Sequence, residues 1–401
     1  MARSKHRATS SAPAARKPAG DAASAAHASA DRARIDFLKA VRHFNVGDLT
    51  SATRFLEEIL KARPTDFDAL HLLGVITARR GDADKEADLI RRALLVRPDD
   101  STARNNLADL LLNQGKAEDA VEVIKPALAA SSPPIGLLFS YANAQRLLGA
   151  YTAAIDSYRA TLMAAPTFVE AALNLTATLF HVGNFAEAER VVREAIERSP
   201  QVASLRLWLG SVLIEAGRAE DALHPLDQAA SAGLVEARHK LGRAYFTLGR
   251  LDEAKRTLER AALDAPGNAA VRTELGIVLL ALNADADAVR RLREAVARAP
   301  ENAEGHAHLA EALRRTGALP EAISHGERAT RFSPLSPVAW LNLGAALLDG
   351  ARPQDARDAL ARAVALDPNS AKAERSYGAA LETLGDHEAA QAAFERASAK
   401  S

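Results

Sequence analysis

LSPVAWLNLGAALLDGARPQDARDALARAVALDP, residues 335–368, is one complete unit of a pattern that runs through this chain. Leu343, Leu347 and Leu360 fall at helical spacing, and the stretch closes on Pro368, through which a helix cannot continue. Residues 233–266, GLVEARHKLGRAYFTLGRLDEAKRTLERAALDAP, repeat the arrangement and close on Pro266. Pro64 and Pro98 stand 34 residues apart, as do Pro166 and Pro200; Pro266, Pro300, Pro334 and Pro368 follow one another at the same interval. A fixed period of this length marks stacked copies of one small unit, each touching only its neighbours. The expected fold is all-α: a solenoid of about eleven helix-turn-helix units over residues 31–401, with about 22 helices in antiparallel pairs and no strands.

Each phase of the unit has a physical reason. Twenty-four residues before the closing proline sits a small residue, Gly74, Gly210, Gly242, Gly276, Gly344 or Gly378, with Ala40, Ala108, Ala142, Thr176 and Ala310 in the other copies. There the first helix of a pair approaches the second, and a bulky side chain would hold them apart. A second small phase opens the inner face of the next helix and is alanine from Ala52 to Ala390, except that Glu86 takes its place in the second copy. A mid-unit glycine (Gly47, Gly81, Gly115 and onward to Gly385) supplies the positive φ that a helix C-terminus uses to turn, and Asn283 replaces it in one copy.

These residues resemble the tetratricopeptide repeat: Trp340-x2-Leu343-Gly344-x2-Leu347, then Ala356-x3-Leu360, Ala363 and Pro368. The resemblance recurs in eleven copies and implies a right-handed superhelix whose first helices line a concave groove. It also implies partners that lie along that groove. The opening copies are similar to the arrays fused to O-linked N-acetylglucosamine transferases and to some sulfotransferases, although no catalytic domain follows within this sequence.

Two joints break the rhythm. The third copy has Ser132 in place of the proline and Pro126 inside its second helix; the sixth is two residues short, with Gly233 at its end and Pro225 inside its second helix. An internal proline removes a helical hydrogen bond and bends the helix. Bends are therefore expected near 126–136 and 225–234, dividing the array into 31–132, 133–232 and 233–401. Residues 1–30 are rich in Ala, Ser and Pro, with Arg3, Lys5, Arg7, Arg16 and Lys17 against Asp21. So few large apolar residues cannot offset the entropy of ordering, and a disordered basic tail is expected.

Lys+Arg and Asp+Glu are 51 each, so the basic excess of a nucleic-acid binder is missing. The absence of cysteine excludes disulfides, thiolate metal sites and a cysteine nucleophile, and is compatible with the expected cytoplasmic location. No apolar run is long enough for a membrane span. The sequence holds no phosphate loop, GxGxxG or HExxH. His306 and His308 diverge around a helix rather than share a metal, and Asn283-x-Asp285-x-Asp287 is read as capping the following helix rather than as a calcium loop. No catalytic residue, cofactor or metal is expected.

The candidate binding residues are those at groove phases: Asn105, Asn106, Asn143, Asn174, Phe180, His181, Trp208, Arg243, Phe246, His308, Arg315 and Asn342. Amides, arginines and aromatics hydrogen-bond to or stack on an extended peptide. Chaperone-binding relatives clamp a terminal carboxylate with cations flanking two asparagines. Asn143 and Asn174 match the asparagines, but Phe139, Ser204 and Trp208 stand where the cations belong, so this clamp is not expected. Asn106, Asn174 and Asn342 occupy three rungs of the asparagine ladder found in the transferase arms. The expectation is a non-enzymatic scaffold that binds protein or peptide segments; the alternative is a recruiting subunit for a separate glycosyltransferase or sulfotransferase.

Overall fold

The computed structural model describes residues 19–129 and 133–400, and among them every regular element is helical. Twenty-two α-helices run from Ala19–Asn45 to His387–Ala399, with one 3₁₀ segment at Lys125–Ala129. They alternate as first and second helices of eleven repeats, an all-α repeat solenoid. The chain separates into two compact units that divide after Thr178, within the first helix of repeat 5 (Val169–His181).

Within a repeat, the two helices are set by one contact at a spacing of sixteen residues. A Cβ placed on Gly276 would lie 2.4 Å from Leu292 Cγ, and one on Gly210 would lie 2.3 Å from Leu226 Cγ. Gly242 faces Leu258, Gly344 faces Leu360, Gly74 faces Ile90 and Gly378 faces Phe394 in the same way. Each first helix offers a notch, and each second helix fills it with one large buried side chain. Repeat 4 uses the pair Ala142 and Tyr158, both fully buried. Repeat 9 inverts the scheme: Ala310 stands in the notch, and the plug position holds Gly326. The space so released is taken by the next repeat, because a Cβ on Gly326 would meet the Leu343 backbone Cα at 3.0 Å.

The turns and ends follow from local chemistry. The mid-repeat glycines from Gly47 to Gly385 have positive φ, as does Asn283 at 58°. Ala351 is a second exception that the sequence pattern did not single out; it holds the same left-handed conformation at φ 58°. Six first helices are capped by short polar side chains: Asp66, Asp100, Asn268, Asn302, Ser336 and Ser370 each accept from a backbone N–H two or three residues on. The closing prolines have a device of their own. Arg104, Arg206, His306 and Trp340 each stand six residues after such a proline and donate a side-chain N–H to its carbonyl; Trp340 Nε1 reaches Pro334 O at 2.8 Å. A carbonyl left over at the end of one repeat is thus satisfied by the first helix of the next.

Three sequence expectations change in detail. The first helix begins at Ala19, so the boundary expected at residue 30 falls inside it; alanine-dense sequence carries a strong intrinsic helix preference. The rest of the expected tail, and the missed proline at Ser132, lie outside the described residues. At Pro126 the second helix of repeat 3 stops at Ile124 and tightens to 3₁₀, whereas Pro225 is buried within a helix continuous from Ala219 to Ser231. The helix after Asn283 is capped by Ala284 without a side-chain bond, so capping does not explain Asp285 and Asp287. They pair instead with Arg315 at 3.5 Å and Arg290 at 2.9 Å.

Two stability predictions follow from this geometry. Gly276→Ala overpacks the notch and costs about 1–3 kcal/mol, and Leu292→Ala empties it at a cost of about 2–5 kcal/mol. In the double variant the new methyl group occupies the vacated space. Urea unfolding of the four proteins will show the double variant less destabilised than the sum of the singles by about 1 kcal/mol or more; simple additivity contradicts the contact. Ala351→Gly relieves a left-handed alanine, and the unfolding free energy rises by roughly 0.5–1 kcal/mol, seen as a higher urea midpoint.

Candidate functional site

With one face of each first helix occupied by the notch, the polar residues of these helices lie elsewhere, and many reach the preceding repeat. Asn106 Nδ2 lies 3.0 Å from His71 Nε2, so the amide donates to a neutral ring; burial holds the His71 pKa below its ordinary value. Ser140 donates to Asn105 Oδ1 at 3.1 Å and to Asp109 Oδ1 at 2.6 Å, while Asn105 Nδ2 donates to Asp109 Oδ2 at 2.9 Å. Asn143 Oδ1 accepts from Tyr158 at 2.6 Å and from Asn174 Nδ2 at 2.9 Å. In unit 2, Arg315 Nη1 donates to Leu280 O at 3.0 Å, and Asn342 Nδ2 donates to Ala307 O at 2.9 Å.

The sequence-selected residues therefore fall into separate groups. Asn106 pairs with His71 between repeats 2 and 3, Asn105 belongs to a cluster with Asp109 and Ser140 between repeats 3 and 4, and Asn143 and Asn174 form a third group. Phe180 packs edge-on against Trp208 at 5.8 Å between centroids, with His181 exposed beside it. Arg243 and Phe246 line a cleft of ≈ 340 Å³ with Ile277, Glu274 and Glu304. His308 is pushed down to about 4 by burial, and this outweighs the opposing pull of Glu311. Arg315 is committed to Glu311 at 2.9 Å as well as to Leu280. Asn342 departs most from its expected role. It is 3% exposed, so this rung is a buried strut between repeats rather than an open contact.

Three features escaped the motif search. Glu311 is buried among Arg314, Arg315 and Lys372; burial opposes its charge, but hydrogen bonds from both arginines hold its pKa below the ordinary value. His306 and His325 meet at 2.7 Å through their Nδ1 atoms, with His306 Nε2 donating to Pro300 O, and the His325 pKa is lowered to about 4 by burial and the neighbouring ring. Glu86 is buried, and burial pushes its carboxyl up. It lines a cleft of ≈ 420 Å³ with Val75, Ala78, Asn106, Asp109 and Asn113. Its departure from alanine was the signal that could have found it. Among the described residues no group of three or more His, Cys, Asp or Glu is placed to hold a metal ion, and no helix is long and apolar enough to cross a membrane.

Stacked two-helix units joined by side-chain struts define a helical-repeat protein. Family models of the tetratricopeptide repeat match residues 37–103, 87–134, 105–167, 178–233, 213–276, 286–337 and 341–401, well over half of the sequence. The chain belongs to the tetratricopeptide repeat family. No curated protein matches the sequence. Among solved structures it is similar to yeast Tom70, with 16% identity over 92% of each chain and a TM-score of 0.44. It is also similar to the APC/C hetero-tetramer Cut9–Hcn1, with 12% identity over 93% of this chain and 88% of that one and a TM-score of 0.46. A third is YrrB, a tetratricopeptide repeat protein with an unusual peptide-binding site, with 24% identity over 45% of this chain and 95% of that one and a TM-score of 0.38.

The Glu86 environment has a measurable consequence. A carboxyl whose pKa is raised by folding costs stability wherever it is ionised in the folded state, and that cost vanishes below its unfolded value. Glu86→Gln keeps the shape and removes the charge. Its thermal midpoint will exceed that of the parent at pH 7, and the gain will shrink to nothing as the pH falls below 4.5, the ordinary glutamate value. A gain that persists unchanged at pH 3 rules out ionisation as the cause.

Proposed function

We propose that this protein is an interaction scaffold that takes extended protein or peptide segments along the face formed by its first helices. One observation carries the reading. Each of the two clefts described above is lined chiefly by successive first helices. One draws on Phe67–Arg79 and Ser101–Asn113 of repeats 2 and 3. The other draws on Val235–Thr247, Ala269–Ala281 and Ala303–Arg315 of repeats 7 to 9. Each combines apolar side chains with carboxylates and side-chain nitrogens, the mixture that seats a peptide's side chains while offering hydrogen bonds to its backbone. On the second helix Phe185–Arg198 the exposed charge is paired within the helix: Arg190 with Glu187 and Glu194, and Arg193 with Glu189. Surface pairs of that kind leave a solvated face with little to offer a partner.

Photo-crosslinking in living cells tests the assignment. A benzoylphenylalanine in place of Phe246, on the first-helix face, will capture a protein partner, and one in place of Arg190, on a second helix, will not. Capture from Arg190 alone contradicts the proposal.

A further inference from the structure

Glu86 is an unusual residue for its position. Ten of the eleven repeats carry alanine at this phase, at the start of the second helix's inner face, and only repeat 2 carries an acid. The residue is 9% exposed, and its carboxylate oxygens, which keep contact with solvent, have no hydrogen-bond or ion-pair partner within the described residues. Burial alone moves its pKa, with no contribution from a neighbouring cation. Arg79, the arginine of the helix Phe67–Arg79, lies over the Phe44 ring at 4.1 Å. A carboxylate that is largely covered yet unpaired carries a desolvation cost that a cation brought by a partner would offset.

The cleft that Glu86 lines is built to receive a cation. Asp109 faces the same space, and burial pushes its carboxyl up despite the hydrogen bonds from Ser140 and Asn105. Asn106 spends its N–H on His71, which leaves its carbonyl oxygen free to accept. Neither lysine nor arginine lines the cleft. Val75, Ala78 and Leu110 supply an apolar wall beside these oxygens. An aliphatic stem ending in a positive charge matches both halves of this lining.

We infer that the cleft of repeats 2 and 3 is a specificity pocket for a lysine or arginine side chain of the bound segment, with Glu86 and Asp109 as its counter-charges. This rests on the proposed binding of peptides along the first-helix face and names a determinant of what is bound there. A basic side chain fits better than a metal ion, because the two carboxylates are joined by amides and aliphatic carbons rather than by a third ionised ligand.

A degenerate peptide array probed with the full-length protein, with Glu86→Gln and with Glu86→Ala tests it. The wild type is expected to select Lys or Arg at one peptide position. For a peptide so selected, Glu86→Gln weakens binding at least tenfold, replacing the peptide's basic residue by norleucine weakens it equally, and the two changes together cost little more than either alone. Selection that is unchanged in both variants, or independent losses that multiply, overturns the pocket while leaving peptide binding standing. Failure of the wild type to bind any array peptide removes the proposed function itself. A thermal midpoint raised by Ca²⁺ or Mg²⁺ alone in the wild type and not in Glu86→Gln, without basic selection on the array, assigns the site to a metal ion and overturns the inference.

Discussion

Everything in this molecule depends on how closely a first helix approaches its second. The notch at Gly74, Gly210, Gly242, Gly276, Gly344 or Gly378 admits one large side chain sixteen residues later, at distances a Cβ would forbid. Such a contact gains dispersion and excludes water, and it does so at the same helix register in every copy that uses it. Because the repeats are stacked, an error at one notch would displace the next pair as well. Repeat 9 shows how the constraint is met by other means: Gly326 replaces the plug, and the helix of repeat 10 moves into the space around Leu343.

The packing between repeats is of a different kind. It is carried by apolar contact and by polar struts that reach back about one period, such as Asn106 to His71, Ser140 to Asn105 and Asn342 to Ala307. The carbonyls of four closing prolines are satisfied in the same direction. These bonds are directional and use buried or half-buried groups, so they fix register where apolar contact alone would allow slippage. They also draw on the residue types that a peptide-binding face would display, which is why a polar residue at a groove phase is not by itself a binding residue.

That double use explains what could be read in the sequence. The helix pairs, the turn glycines and the notch were legible because each answers to a local rule about size or backbone conformation. Ala351 was not, because a left-handed alanine obeys no local preference; it lies in a turn closed by Ala351 N–H to Leu348 O and Arg352 N–H to Leu347 O. The site was only partly legible. Asn106 and Asn342 look equivalent by phase, yet one borders an open cleft and the other is buried against the preceding repeat, bonded to Ala307 O. Phase gives the direction of a side chain; it does not give the depth to which neighbouring repeats cover it. Glu86 was visible only as a broken pattern, and its chemistry emerged once Asp109 and Asn106, some twenty residues further along the chain, were seen on the same cleft.

We propose that the notch consumes one face of each first helix and that the face left over is where partners bind. Hydrogen exchange on the full chain, with and without a saturating array-selected peptide, measures this directly. Added protection is expected in the first helices Phe67–Arg79 and Ser101–Asn113, with the second helix Phe185–Arg198 unchanged. Protection gained in second helices while those first helices stay unaltered would contradict it.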